Sequence, residues 1–461
     1  MSFNTECFRV PSITELGGRA RIPSSKPETQ RAIIAATLAR GSSRIYNDLR
    51  CSEVDTMKAA CQAVGAAIHE HDGFLEVQGN GGELKACHRV IDARGSGLVF
   101  RVFSALTCFS PSAAIVSGDA TLRARVMLPL FEALRNLGAR IESIGDEGKA
   151  PIVNWGGGLR GGLCKLPGNV SSQFVTAIMF AAALADNVTQ MHVEGEILSV
   201  SYIRQTIAVL RQSGIRIEAN EDCSHIVVYP GQYQAATHRI GGDYTSASYL
   251  IGAAALFPGT TVLENIDRQS LQGERAIIDV LERLGLTVRF ENESRTLVVT
   301  NPFEQLRGEV EFDARDFPNI VPTLAAIGAH VKGTFRVVGA SITRLHKSSR
   351  VKAIVTELAK MGVNIHPLFK DSVYDGFEIR GHGEPYKGGV TLSSWKDHRI
   401  FMSLFIASLR SRQPNLIDGY HDVHCSFPDF FDQFKRLGVS YGEAVEEAPG
   451  PGSAVLQEVR A

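Results

Sequence analysis

The chain carries almost no net charge: 48 Lys and Arg stand against 49 Asp and Glu, a balance of -1 over 461 residues. That excludes a whole-surface attraction for nucleic acid or an anionic membrane, so any anion must be held by a local cluster. Long apolar runs are missing too; no stretch reaches the about 18 residues that a membrane span needs. The opening MSFNTECFRVPS lacks the basic start and apolar stretch of a secretory signal. The eight cysteines (Cys7, Cys51, Cys61, Cys87, Cys108, Cys164, Cys223 and Cys425) form no C-x-x-C pair and no metal-ligand spacing. They read as reduced core residues of a cytoplasmic protein, with no metal and no cofactor expected.

What is present is repetition. A helical pattern ending in an apolar residue and a glycine recurs at Gly65, Gly138, Gly214, Gly285, Gly362 and Gly438, spaced by 71 to 77 residues. A period of this kind marks six copies of one structural unit. Each glycine suits a helix C-terminus, where a left-handed residue is needed. The short alternating segments that follow, such as ARIES, IRIEA and LTVRF, read as strands.

A second helix opens each unit, beginning at SSKPETQ, RGSGLVF, NVSSQFV, DYTSASY, ARDFPNI and SSWKDHR. After the first turn these helices are apolar all round, which predicts that they are buried in the middle of a domain. Their first turns carry Lys26, Arg31, Arg101, Gln173, His398 and Arg399. Ser, Thr, Asp and Asn there would serve as N-caps. Caps do not account for the cations, whereas a helix N-terminus lined with cations is an anion site. The length exceeds one hydrophobic core. Six units therefore divide three and three, into one globule over 24–241 and a second over 1–23 plus 242–445. The chain crosses near Gly17–Pro23 and again at Gly241 and Gly242. The acidic, Gly/Pro-interrupted tail 446–461 is expected to fray.

The segments SSKPETQRAIIAATLARGSSRIYN, GNVSSQF, GGDYTSASYLIGAAAL, RDFPNIVPTLAA, SSRVKAIVTELAKMG, WKDHRI and SFPDFF resemble, in order, those of the 5-enolpyruvylshikimate-3-phosphate synthases. The resemblance implies an α/β fold of two inside-out globules, each of three βαβαββ units, closing over a cleft. It implies Ser171, Ser172 and Ser199 for the phosphate of shikimate-3-phosphate, and Arg31 and Tyr202 for its ring carboxylate. Lys26 matches a lysine shared between the two substrates. Gln173, Arg350 and Arg399 match positions that contact phosphoenolpyruvate, and His398 lies in a matching Asp-His-Arg turn.

The departures fall on the chemistry. Asn319 stands where the family has an aspartate that works on the acceptor hydroxyl, and an amide takes no proton. His346 and Lys347 occupy a Lys-Glu pair, Thr121 an arginine position and Cys425 a lysine position. Arg123 or Arg125 is the candidate to replace the lost arginine, and His424 the lost lysine. Three functions follow. The first is carboxyvinyl transfer from phosphoenolpyruvate, with Lys26, His346, Lys347 and Asn319 as the altered catalytic set. The second is elimination of phosphate from a shikimate-3-phosphate-like substrate, with Lys347 as a base whose pKa neighbouring cations depress. The third is a non-catalytic ligand-binding homologue. The partner in each is a small phosphorylated molecule, neither nucleic acid nor membrane, and a monomer is expected.

Overall fold

A computed structural model of the chain describes residues 6–291, 295–441 and 445–447. The six periodic glycines all adopt positive φ, between 80° and 109°. Each ends a helix: Ser52–Ala63, Leu128–Asn136, Val200–Gln212, Ile277–Arg283, Arg350–Lys360 and Phe430–Arg436. The closing bonds repeat as well. The amide after each glycine reaches back to the last turn, as in Ala66 to Cys61, Ile215 to Leu210 and Val439 to Phe434. This pattern satisfies carbonyls that the helix end would leave unpaired.

The opening helices are Lys26–Leu38, Gly97–Leu106, Ser172–Ala182, Tyr244–Leu256, Val321–Gly328 and His398–Leu409. In Tyr244–Leu256 and His398–Leu409 every residue is buried, as the lack of a polar face dictates. They pack on one another, Gly97–Leu106 against Ser172–Ala182 and Val321–Gly328 against His398–Leu409. Sheets and outer helices surround them.

Among the described residues there are six four-stranded sheets, each with one parallel and two antiparallel pairings. In the simplest, Ile91–Asp92 runs parallel to Ala114–Ser117, which pairs antiparallel with Ile152–Asn154, which pairs with Ile141–Ser143. Two sheets exchange their first strands. Gly18–Arg21 pairs with Gly259–Glu264, and Thr237–Arg239 pairs with Ser42–Tyr46. The N-terminal strand Glu6–Val10 joins Asn415–Asp418 and Val445–Glu447 in the last sheet. Glu446 and Glu447, placed in the fraying tail by sequence, therefore belong to an edge strand, because the open side of Glu6–Val10 offers unpaired backbone groups. Residues 448–461 lie outside the described residues.

Two hydrophobic cores result. One collects residues between Ala32 and Ile240, the other residues between Phe8 and Ile22 and between Tyr244 and Val439. The two connecting segments run side by side. Ser25 donates its amide to the Gly241 carbonyl (2.8 Å) and Asp243 donates to Pro23 (2.9 Å). No helix among the described residues is long and apolar enough to cross a membrane.

Candidate active site

The N-terminal ends of the buried helices meet at one cavity of about 660 Å³. Lys26 and Pro27, Ser96 and Gly97, Ser171 to Gln173, Asn319, and His398 and Arg399 line it, each from a different helix start. The sixth start contributes Asp243, whose carboxylate accepts the Lys26 amide at 3.3 Å and caps its own helix through Ser246. Ser25, Ser96, Ser171 and Asp397 cap four of the others, and the start of Val321–Gly328 has no side-chain cap. Each cap satisfies part of a first turn; the dipoles still point their positive ends at the cavity.

All fourteen residues singled out from sequence line this cavity: Lys26, Arg31, Arg101, Ser171, Ser172, Gln173, Ser199, Tyr202, Asn319, His346, Lys347, Arg350, His398 and Arg399. Arg125 and Arg344 add to them. Among the described residues, eight cationic side chains on the wall (Lys26, Arg31, Arg101, Arg125, Arg344, Lys347, Arg350, Arg399) thus face a single lining carboxylate, Glu53. Such an imbalance in a buried cleft suits ligands that carry several negative charges.

At one end, Arg31 is 2% exposed and bonds neutral groups: Thr206 Oγ1 (2.9 Å), the Pro27 carbonyl (3.1 Å) and the Tyr202 carbonyl (3.3 Å). Burial lowers its pKa to about 10. One N–H on each terminal nitrogen remains for a ligand. Ser171 caps its helix through the Gln173 amide (3.3 Å), so its hydroxyl does the structural task whatever else it does. Ser199 differs. It holds a left-handed backbone (φ 60°) and makes no side-chain cap bond, which leaves its hydroxyl to the cavity at some local strain.

Deeper along the wall, Arg101 donates to Gln173 Oε1, and burial, then Arg125, lowers its pKa to about 9. Gly97 makes this pairing possible. A Cβ there would lie 2.4 Å from Arg101 Nη1 and 3.2 Å from Arg125 Nη1. Thr121 is exposed and donates to Asp119 Oδ1 (2.7 Å), so Arg125 rather than Thr121 supplies a cation here.

The second half contributes Arg350, whose Nε donates to Asp397 Oδ2 at 2.8 Å, both side chains nearly inaccessible. Its Nη1 donates to Asn319 Oδ1 at 2.9 Å. That bond orients the amide, so Asn319 Nδ2 faces Tyr202 Oη (2.6 Å) and Glu274 Oε1 (3.1 Å). His398 has both ring nitrogens buried without a hydrogen-bond partner, and His346 has its Nδ1 so. Burial pushes both imidazoles well below 6.5, helped by Arg350 at His346 and by Lys347 at His398. Both are neutral near pH 7.

Where the halves meet, Glu53 holds Lys26 Nζ at 2.8 Å and lies 3.6 Å from Lys347 Nζ. Burial alone would raise the Glu53 carboxyl; Lys26 and Lys347 outweigh it and keep it low. Burial alone would lower the Lys26 ammonium, and Glu53 keeps it high. The expectation that cations crowd Lys347 is corrected here: a carboxylate sits beside it, because the start of helix Ser52–Ala63 reaches across the cleft. Cys425 Sγ lies 3.7 Å from Lys347 Nζ. His424 turns away and bonds the Pro428 carbonyl at 2.9 Å, so it does not replace the lost lysine. Sequence reasoning missed Glu53 and Glu274. An acid in a helix's first turn is an ordinary dipole partner, and no local signal marks either one.

Residues 10–434 match the EPSP synthase family, described as EPSP synthase (3-phosphoshikimate 1-carboxyvinyltransferase). Among relatives, the 3-phosphoshikimate 1-carboxyvinyltransferase of Methanococcus maripaludis is 33% identical over 433 residues, covering 93% of this chain and 98% of that protein. That of Methanocaldococcus jannaschii is 33% identical over 436 residues, covering 94% and 98%. Among solved structures, EPSP synthase from Acinetobacter baumannii superposes with a TM-score of 0.80 at 24% identity, covering 96% of this chain and all of that one. The enolpyruvyl transferase NikO from Streptomyces tendae gives 0.74 at 16% identity, covering 97% and 100%. These two likenesses establish the enolpyruvyltransferase fold, and with the match along nearly the whole length the chain belongs to the EPSP synthase family of transferases.

Proposed function

We propose that the cleft binds a phosphorylated cyclic carboxylate of the shikimate-3-phosphate type together with phosphoenolpyruvate, and transfers the carboxyvinyl group to an acceptor hydroxyl. The observation that carries this reading is the wall of eight cations around one carboxylate. Two substrates bearing two phosphates and two carboxylates would match it. In this reading Ser171, Ser172 and Ser199 take the acceptor phosphate and Arg31 the ring carboxylate; Tyr202, expected beside Arg31, donates its hydroxyl to Glu274 and so has no proton to give that carboxylate. A planar guanidinium with a free N–H on each terminal nitrogen offers two parallel donors for that carboxylate. Gln173, Arg101, Arg125, Arg350 and Arg399 take phosphoenolpyruvate.

The chemistry requires the acceptor oxygen to attack C2 while C3 gains a proton, after which phosphate and a C3 proton leave. Lys26 and Lys347, which share Glu53, are the proton-carrying groups in this reading. A proton given to C3 by one ammonium can be taken back after the carboxylate between them has evened out the charge. His346 and His398, neutral, add hydrogen bonds without adding charge.

A second reading, elimination of phosphate from the acceptor alone, draws on one observation: Asn319 is fully engaged and cannot accept the acceptor proton. One experiment separates the two. The protein is incubated with shikimate-3-phosphate, with phosphoenolpyruvate, and with both, and phosphate and the organic product are measured. Phosphate and a carboxyvinyl ether only when both are present support transfer. Phosphate from shikimate-3-phosphate alone overturns it in favour of elimination, and ligand binding without turnover points to the non-catalytic homologue.

A further inference from the structure

Glu274 is 1% exposed and lies behind the cleft wall, in the second half of the chain. Among the described residues it has no cationic partner within ion-pair distance. Its Oε1 accepts the Tyr202 hydroxyl at 2.5 Å and the Asn319 amide at 3.1 Å. Tyr202 belongs to the first half and lines the cavity. Its oxygen accepts one N–H of Asn319 and keeps a second lone pair for a ligand hydroxyl. The carboxylate missing at position 319 is thus found one hydrogen bond further back, joined to the cleft by a phenol.

We propose that Glu274 receives the acceptor proton through Tyr202; this rests on the transfer reading. As the acceptor oxygen bonds to C2 of phosphoenolpyruvate, its O–H bond breaks. That proton passes to the Tyr202 oxygen while the Tyr202 proton passes to Glu274 Oε1. One C–O bond is gained, one O–H bond moves from acceptor to carboxyl, and Tyr202 ends as it began. The proton leaves again with phosphate, restoring the carboxylate. Tyr202 is then the group that touches substrate, and Glu274 is its positioning residue.

Asn319 fits this arrangement better than an acid would. An aspartate there would set a second carboxylate about 3 Å from Glu274, and two such charges cannot both ionise. The amide supplies two N–H donors and hands its oxygen to Arg350, so one acid remains in the cluster. Burial raises the Glu274 carboxyl, in the direction that lets it hold a proton between steps.

The test uses the full chain with both substrates, as wild type, Glu274→Gln and the double variant Glu274→Gln with Asn319→Asp. The glutamine keeps the shape and cannot be protonated. Its kcat is expected to fall at least about a hundredfold, with the acceptor KM within about threefold. The acidic limb of the kcat profile should disappear with it. The double variant, with a carboxylate restored at 319, should regain at least about tenfold and show a new acidic limb. A loss confined to KM, an unchanged acidic limb, or a folded double variant with no recovery would overturn the proposal.

If the wild type makes no carboxyvinyl product, the transfer reading fails by itself. Glu274 is then tested by calorimetry of shikimate-3-phosphate binding in buffers of different ionisation enthalpy. Proton uptake should be smaller in Glu274→Gln than in wild type; equal uptake would overturn the role.

Discussion

Glu53 accepts the Lys26 ammonium at 2.8 Å through one oxygen and faces the Lys347 ammonium at 3.6 Å through the other. Lys26 and Glu53 belong to the first half and Lys347 to the second, so this carboxylate joins the halves at the chemistry. Lys347→Ala removes one long-range partner at a site that water still reaches, with 28% of the side chain exposed. The fold should lose no more than about 1 kcal/mol in chemical denaturation. Turnover should fall at least about tenfold, because a proton-carrying group is gone. Equal losses in stability and turnover would assign Lys347 to structure alone.

Arg350 and Asp397 form a different kind of pair, fully enclosed within the second half. Asp397 also caps its helix through the Arg399 amide at 3.0 Å. Asp397→Asn leaves the guanidinium buried and uncompensated, at a cost of roughly 3–5 kcal/mol. Denaturant midpoints report this directly. Burial would raise the Asp397 carboxyl; Arg350 outweighs it and holds the group far below its ordinary value. Its stabilising contribution is present above about pH 4, the unfolded value, and is lost as pH falls further toward the folded one. The variant's stability should therefore depend less on pH below about 4.

Three buried histidines and the half-buried His346 set an earlier acid limit. His238 and His330 are lowered to about 4 by burial, and His346 and His398 lie well below 6.5. The unfolded chain takes up protons at these positions from about pH 6.5 downward while the native state does not, so stability falls with pH. His238 and His330 should each account for roughly 2 kcal/mol lost at pH 5. A flat unfolding free energy between pH 7 and 5 would contradict this. Imidazole resonances that stay neutral over the same range would support it.

Ser171 separates capping from ligand binding. As a cap alone, Ser171→Ala costs about 1 kcal/mol of stability and leaves kinetics unchanged. On the transfer reading the acceptor KM also rises, by about ten- to a hundredfold, the equivalent of roughly 1.4–2.7 kcal/mol. Ser199→Ala makes a sharper comparison, since no cap bond is lost there. Its KM should rise with stability unchanged.

Arg31→Lys tests the guanidinium. A lysine cannot reach Thr206, Pro27 and Tyr202 together while offering two donors to a carboxylate. Calorimetric affinity for shikimate-3-phosphate should weaken by about one to two decades.

Much of the fold could be read in advance, and for a local reason. Gly65, Gly138 and their counterparts end helices because a left-handed residue without a Cβ does so wherever it falls. The six apolar helices are buried because none has a face to offer to water. Lys26, Arg31, Arg101, Gln173, His398 and Arg399 were legible for a related reason, as polar residues on the first turns of apolar helices, whereas the other eight candidates came from the family resemblance. By itself, then, the sequence determined six repeats, two cores and the identity of most of the wall. The tertiary structure alone decided which charges meet: Glu53 with Lys347, Glu274 with Tyr202 and Asn319, and Arg125 in place of the cation missing at Thr121. Glu53 and Lys347, and likewise Tyr202 and Glu274, are far apart in the chain and belong to opposite halves. Backbone preference acts over a few neighbouring residues. Hydrogen bonds and ion pairs act over a few ångströms of space, which chain order does not disclose until both halves have folded and met.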